Sequence, residues 1–384
     1  MSISLYSYYG GILGCDPELF VVREAGKRTK RIAAVASEDV IPAEGIYVKD
    51  WIQPWSSCVT RDGVQAELHA GGVGGCRQGL ACYIGTAVRE LNSAVLRVRE
   101  AKKDPTIRVS FQSMIKLTKG DLAKLSPEAK ELNCKPSRNA YGREPVIKDG
   151  AVYPIRSASG HLHLGTPLLS GQMVDPDLAV RVFDVLVGIP GVMVDQDPNQ
   201  AIRRETYGRA GEYRLPAHGL EYRVPSNFWL KDYKLMSFVF GMAKTALGVC
   251  DGLTKSGHAN SKQCYETLMA KVNSDKVERA INGNDLKLAW EIYRESIVPF
   301  AQMLSPRYGL YATNLGQFEY LVDSITADGL GKWFNLADEA IVGRWTSLST
   351  ATGWEKFLTY DVAAAMRKNT LIDLATPADL KIAA

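Results

Sequence analysis

Little in this sequence points to a covalent frame, a membrane or a nucleic acid. Its seven cysteines (15, 58, 76, 82, 134, 250 and 264) are odd in number and form no Cys-x-x-Cys pair. That excludes a disulfide scaffold and a zinc ribbon, and is the pattern of free thiols in a reducing compartment. No apolar run is long enough to span a bilayer, the nearest being the mixed stretch Leu235–Val249. No N-terminal stretch has the basic, apolar and small-residue layout of a signal peptide, so the cytoplasm is the expected location. The net charge is only +4, and the basic residues form no stripe interleaved with aromatics, so no nucleic-acid partner is expected. The glycine-rich stretch Gly71–Gly79 holds neither a Walker loop nor a complete GxGxxG and reads as a connector. There is no internal repeat and no low-complexity segment.

What is present is an ordinary globular composition. The 384 residues are 46% apolar and 23% charged, enough for one large or two ordinary domains. Only five histidines occur, and two of them stand as His161-Leu162-His163. Glu221-Tyr222-Arg223 repeats the same spacing, as do Asp16-Pro17-Glu18 and Gln65-Ala66-Glu67. Groups two residues apart share one face of a strand. An arginine-rich connector with Arg203, Arg204, Arg209 and Arg214 leads into Glu221. Collected on one face, imidazoles, carboxylates and guanidiniums are costly to bury without a metal or a polyanion to compensate them. The His-x-His strand lacks helical zinc-hydrolase spacing and nearby cysteine, which favours a hard cation with mixed histidine and carboxylate ligands.

Each pattern also has a plainer explanation. Asp16-Pro17 taken alone is a solvated turn. Gln65, Glu67 and His69 are the polar face of an amphipathic strand whose Val64, Ala66 and Leu68 turn to the core. The arginine connector is a salt-bridged surface loop unless it serves phosphate, and Cys134–Gly142 reads better as a surface loop than as a lid. The surrounding elements are clearer. Leu19–Val22, Ile32–Val35, Gly45–Val48 and Ile107–Phe111 read as strands, and Asp62-Gly63 as a hairpin turn. Lys27–Arg31 reads as a hairpin tip, with Trp51 and Trp55 packing at a sheet edge. Leu80–Lys102 carries Ile84, Val88, Leu91, Val95 and Val98 on one stripe, the pattern of a helix covering the sheet. A short helix is expected around Asp121–Leu132, and another begins at Asp175-Pro176, a cap followed by a first-turn proline. Beyond residue 227 the pattern turns helical: Phe228–Val249, Ala259–Val272, Val277–Ile281, Asp285–Leu304, Asn314–Ile325 and Ala337–Leu348. Trp290, Trp333, Trp345 and Trp354 are candidate core anchors.

Taken in order, Gly-x-Asp-Pro-Glu-Leu-Phe (14–20), Asp-Gly-Val-Gln-Ala-Glu (62–67), Ser-Gly-His-Leu-His-Leu-Gly (159–165) and the arginine run ending in Glu-Tyr-Arg (204–223) resemble phage-encoded carboxylate–amine ligases. The nearest resemblance is to the type 2 amidoligases of phiEco32-like phages, in the glutamine synthetase and glutamate–cysteine ligase superfamily. It covers roughly residues 10–230, and its strength lies in the shared order of the motifs. It implies an α+β fold, a curved and mainly antiparallel sheet forming a catalytic funnel backed by helices. On that reading residues 1–230 are the catalytic domain and 231–384 a helical C-terminal subdomain packed on it.

The resemblance further implies ATP and Mg2+ or Mn2+ as cofactors. Asp16, Glu18, Glu67, His163 and Glu221 would ligate metal, although Asp16 stands where the family has the longer glutamate. The family's metal- and phosphate-binding histidine falls on His161 or His163, with His163 preferred. Gln65, His161 and Arg223 would contact the nucleotide, and Arg204, Arg209, Arg214 and Arg223 would neutralise the transferred phosphoryl group. The implied reaction is amide formation through an acyl phosphate, with small-molecule or peptide carboxylate and amine substrates, a protein substrate also being conceivable. A phage-encoded protein would act in the host cytoplasm, and an oligomer is permitted. Two alternatives stand beside it: an ATP:guanidino phosphotransferase-like enzyme, and a non-catalytic phage structural or interaction protein with a ligase-like fold.

Overall fold

The Asp16-Pro17 dipeptide joins two sheets. In the computed structural model, which describes residues 12–25, 31–48, 58–69, 77–132, 137–165, 174–195, 197–217, 219–250, 259–304 and 336–348, strand β1 (Ile12–Cys15) ends just before it and β2 (Glu18–Ala25) begins just after. Proline has no N–H for a ladder, so the chain leaves one sheet there and enters another. The first sheet has the order β1-β11-β13-β12-β9, with β9 Arg138–Asn139, β11 Leu162–Gly165, β12 Glu212–Arg214 and β13 Leu220–Tyr222. The second runs β3-β2-β6-β5-β4, with β3 Arg31–Ala34, β4 Ile46–Tyr47, β5 Cys58–Asp62 and β6 Gln65–His69, and β7 (Arg108–Ser110) also pairing with β2. A two-stranded ribbon joins β8 (Met114–Lys116) to β10 (Ile155–Ser157). Among the described residues every pairing is antiparallel and neither sheet closes on itself. The expected mixture of helix and antiparallel sheet is present, with the strands divided between two sheets.

Alternation decides which face is buried. In β6 Ala66 and Leu68 enter the main core while Gln65, Glu67 and His69 point the other way. Val64, expected on the core face, sits in the turn and packs in a smaller second core with Phe20 and Val22. The Arg77–Lys102 helix lays Ile84, Val88, Leu91 and Val95 against the second sheet, as its stripe requires. Leu162, Leu164, Leu220 and Tyr222 turn the back of the first sheet to the Pro176–Phe183 helix and its continuation.

That continuation is a π turn at Asp184–Gly188 leading into Ile189–Val194. A second π turn, Tyr293–Ile297, leads into Val298–Leu304. Each ends two residues before a proline, Pro190 and Pro299. A proline lacks the N–H and crowds the carbonyl four residues back, so the helix widens instead of breaking. The short helix expected at Asp121–Leu132 is split by Pro127 into Lys119–Lys124 and Pro127–Lys130.

Helices Tyr233–Cys250, Ala259–Met269, Ser274–Asn282, Leu286–Ile292 and Asp338–Leu348 follow the expected pattern. They share with both sheets one apolar core running from Cys15 to Leu348, in which Trp290 and Trp345 are buried. Cys15, Cys82, Cys250 and Cys264 are buried thiols that form no disulfide. Residues 71–76 of the glycine-rich stretch, residues 27–30 of the hairpin tip, Trp51, Trp55, Trp333, Trp354 and the helix expected at Asn314–Ile325 lie outside the described residues. No described helix is long and apolar enough to cross a membrane.

Candidate metal and phosphate site

Register builds the site. His163 lies opposite Glu221, which lies opposite Arg214, so three strands place these side chains in one row, with Gly14 beside His163 at the end. Glu18, Glu67 and Thr60 make a second row across β2, β6 and β5. Asp16 sits at the junction. It is 5% exposed, against 3% for Glu18 and 1% for Glu221, so the solvated-turn explanation of Asp16-Pro17-Glu18 does not hold.

Both histidines converge on Asp16, as their spacing required. His163 Nε2 lies 2.9 Å from Asp16 Oδ2 and His161 Nδ1 lies 3.1 Å from Oδ1. His161 Nδ1 is also 3.4 Å from Glu221 Oε1. Glu221 pairs with Arg214 at 2.6 Å and with Arg223 at 3.2 Å. Asp16, His163 and Glu221 each offer a ligand atom, all within 4.8 Å of one another. Two buried carboxylates and an imidazole at that spacing suit a divalent cation with oxygen and nitrogen ligands. Glu18 and Glu67 occupy the adjoining row and are not part of that group.

Charge sets the protonation of the cluster. Burial works against ionisation of Asp16, but His161 and then His163 outweigh it and hold the carboxyl well below its usual range. Burial, then the charges of Asp62 and Glu67, push Glu18 well above its usual range. Burial also raises Glu67, partly offset by His69, whose Nε2 lies 3.2 Å from it. Burial works to lower His163, but the hydrogen bond and charge of Asp16, with the charges of Glu221 and Glu67, together outweigh it and raise the imidazole.

The arginines separate into two sets. Arg214 and Arg223 reach the cluster. Arg204 is buried on the helical side, where its guanidinium donates to Ile281 O at 2.6 Å and Asn284 Oδ1 at 2.8 Å. Arg209 pairs with Glu212 at 2.8 Å and donates to Glu144 O. The structure therefore does not bring Arg204 or Arg209 to the carboxylate–imidazole cluster. Gln65 donates to Ser157 O at 2.8 Å, tying β6 to β10.

Three residues to which the sequence patterns gave no role complete the site. The Tyr207 hydroxyl lies 2.7 Å from His161 Nε2 and accepts from Arg223 at 2.5 Å. Its ring lies under the guanidiniums of Arg203 and Arg223, at 5.5 and 4.9 Å from the centroid. Ser137 accepts from Arg223 at 2.7 Å, so the segment read as a surface loop reaches the site, while residues 133–136 lie outside the described residues. Ser159 N donates to Glu18 Oε2 at 2.7 Å, and Glu18 N donates to Ser159 O at 2.8 Å, stitching the two sheets together. A tyrosine in an aperiodic turn and two serines carry no pattern, so only the fold reveals them.

The scaffold is one of helices and antiparallel sheets that holds a cluster of buried carboxylates with two imidazoles, flanked by guanidiniums. Residues 148–305 match the family model described as Phage phiEco32-like COOH.NH2 ligase-type 2. The resemblance read from the motifs is borne out over this stretch, and the family's name indicates a carboxylate–amine ligase. The match includes His161, His163, Arg214, Glu221 and Arg223, and stops short of Asp16, Glu18, Gln65 and Glu67. No curated protein matches the chain.

Proposed function

We propose that the protein is an ATP-dependent, ADP-forming ligase that joins a carboxylate to an amine through an acyl phosphate. The observation that carries this reading is the meeting of Asp16, His163 and Glu221 from three separate segments beside Arg214 and Arg223. A carboxylate is a poor electrophile, so its oxygen must first attack the γ-phosphorus of ATP and release ADP. The amine then attacks the acyl carbon, forms the C–N bond and expels phosphate.

On this reading Asp16, His163 and Glu221 hold Mg2+ or Mn2+, with Glu18 and Glu67 available from the adjoining row. When bound, the cation draws charge from the phosphoryl oxygens. Arg214 and Arg223 stabilise the charge of the transferred group and are themselves oriented by Glu221. His161 and Tyr207 hold Asp16 and Arg223 in place, and Gln65 fixes the register between β6 and β10. Arg204 and Arg209 act at a distance by fixing the connector.

The test is release of ADP and phosphate from Mg-ATP across a panel of carboxylates and amines, with hydroxylamine present to intercept an acyl phosphate as a hydroxamate. Carboxylate-dependent hydroxamate is expected. ADP formed with a phosphorylated guanidine and no free phosphate would instead mark a guanidino phosphotransferase, and no turnover with any pair would favour a non-catalytic role.

A further inference from the structure

Beside the metal-binding row lies a cavity of about 200 Å³ that shares Glu18 and Tyr207 with the site and contains neither Asp16, His163 nor Glu221 in its lining. Glu18 and Ser159 are buried residues of its lining. Ser159 is 1% exposed, lines the cavity, and its hydroxyl has no hydrogen-bond partner among the described residues. A buried hydroxyl without a partner costs free energy unless something fills the role. Its lining also includes Asp62, half-buried and near enough to Glu18 to raise its carboxyl, and Glu131, exposed. Val146, Ile147 and Ile155 supply its apolar part.

The wall is built in, not incidental. Arg156, fully buried, donates to the carbonyls of Lys130, Gly150, Tyr153 and Ile155, at 2.6 to 3.1 Å. Those carbonyls belong to the two chain segments that frame the cavity. Across it, a Cβ added at Gly63 would lie 2.9 Å from Glu131 O, so the β5–β6 turn is seated against the same segment.

The charge of the lining decides what enters. Among the described lining residues four carboxyl groups (Glu18, Asp62, Glu131 and Glu212) face one lysine, Lys148; Glu212 pairs with Arg209, and burial beside Asp62 and Glu67 favours the neutral form of Glu18. Lys148 already places its ammonium 5.7 Å from the centroid of the Tyr153 ring. Such a lining repels a triphosphate and attracts an ammonium group. The volume corresponds to roughly seven water-sized groups at about 30 Å³ each.

Resting on the ligase reading above, we infer that this cavity binds the amine substrate and selects an alkyl amine with a second cationic group, the reacting nitrogen lying at Ser159 and Glu18 and the second cation at Asp62 and Glu131. The reacting ammonium sheds two protons in forming the amide, one taken by the departing phosphate and one by solvent, and the acyl C–O bond to phosphate breaks as the C–N bond forms.

The test is calorimetric titration of the full chain with 1,5-diaminopentane, pentylamine, pentane-1,5-diol and glutarate, each with and without Mg-ATP. The diamine is expected to bind about tenfold more tightly than the monoamine, the factor one partly desolvated ion pair supplies, with no binding of the diol or glutarate. In Asp62→Asn combined with Glu131→Gln the diamine should lose that advantage while Mg-ATP binding persists. Glutarate binding better than the diamine, or diol and diamine binding alike, would overturn the assignment, and so would a double variant that keeps the preference. Diamine binding by a chain that binds no Mg-ATP would leave the cavity's selectivity standing and remove the ligase reading beneath it.

Discussion

Glu221 is the residue in which the site's electrostatics meet, held by Arg214 and Arg223 and facing His161. Glu221→Gln keeps the shape and removes the charge, and Arg223→Ala removes the guanidinium; each is expected to lower ATP turnover by about 10²–10³ or more. Steady-state ADP release checks this, and unchanged turnover in both would discard the site. Tyr207→Phe keeps the ring under Arg203 and Arg223 but deletes the hydroxyl between His161 and Arg223. A fall in kcat of about tenfold is expected, one hydrogen bond's worth, with the far-UV circular dichroism unchanged; a wild-type kcat would take the tyrosine out of the mechanism. Glu221 and Arg223 were legible because i, i+2 spacing in a strand fixes a common face. Tyr207 was not, because nothing in a turn sequence says where its side chain lands. Nor did the sequence tell Arg214 from Arg204: the first lies in β12 opposite Glu221, the second behind the sheet at the end of the Ser274–Asn282 helix.

One buried acid outside the site gives a pH signature. Burial, partly offset by hydrogen bonds from Tyr222 and Tyr141, raises Asp184 to about 7. In the unfolded chain an aspartate titrates near about 3.9. Between those values the folded protein holds a proton that the unfolded chain has lost, so stability falls as pH rises through this window. Asp184→Asn should flatten that fall, measured as denaturant midpoints at about pH 5 and about pH 8. Equal slopes in variant and parent would show that Asp184 is not the source.

At the scale of the element, position depends on a few backbone devices. Arg156 ties together the carbonyls of Lys130, Gly150, Tyr153 and Ile155. Arg156→Ala leaves half-buried acceptors unpaired, and a loss of about 1–3 kcal/mol is expected, with faster proteolysis between residues 130 and 155. Proteolysis at the parent rate would mean the segment is held otherwise. Gly160 precedes His161 and admits no side chain, because a Cβ there would collide with the Trp229 indole nitrogen and the Ser226 carbonyl. Gly160→Ala should therefore displace His161 and weaken cation binding, read by calorimetry with Mn2+; binding as in the parent would show that the strand adapts. Elements set by local chemistry were legible, including the Asp62-Gly63 hairpin, the Asp175 cap with Pro176 and the striped Arg77–Lys102 helix. The two-residue β9 and the π turns were not, since their pairing and widening depend on distant partners or on a proline already within a helical run.

For the whole molecule, the decisive feature is the short crossing at Asp16-Pro17. Because β1 and β2 belong to different sheets, two carboxylates two residues apart serve two rows at once, Asp16 beside His163 and Glu18 beside Glu67. The motifs pointed to Asp16, both histidines, Glu221 and Arg223, which do meet, but equally to Arg204 and Arg209, which lie elsewhere. They did not foretell that two sheets would do the gathering, because sheet membership is a matter of long-range pairing and each strand's own pattern is the same either way. The most direct measurement is titration of the full chain and of Glu221→Gln with Mn2+ and Mg-ATP by calorimetry, with near-UV circular dichroism to confirm packing. The account predicts saturable binding of metal and nucleotide by the parent and its loss in the well-packed variant. Equal binding by both, or none by the parent, would contradict it.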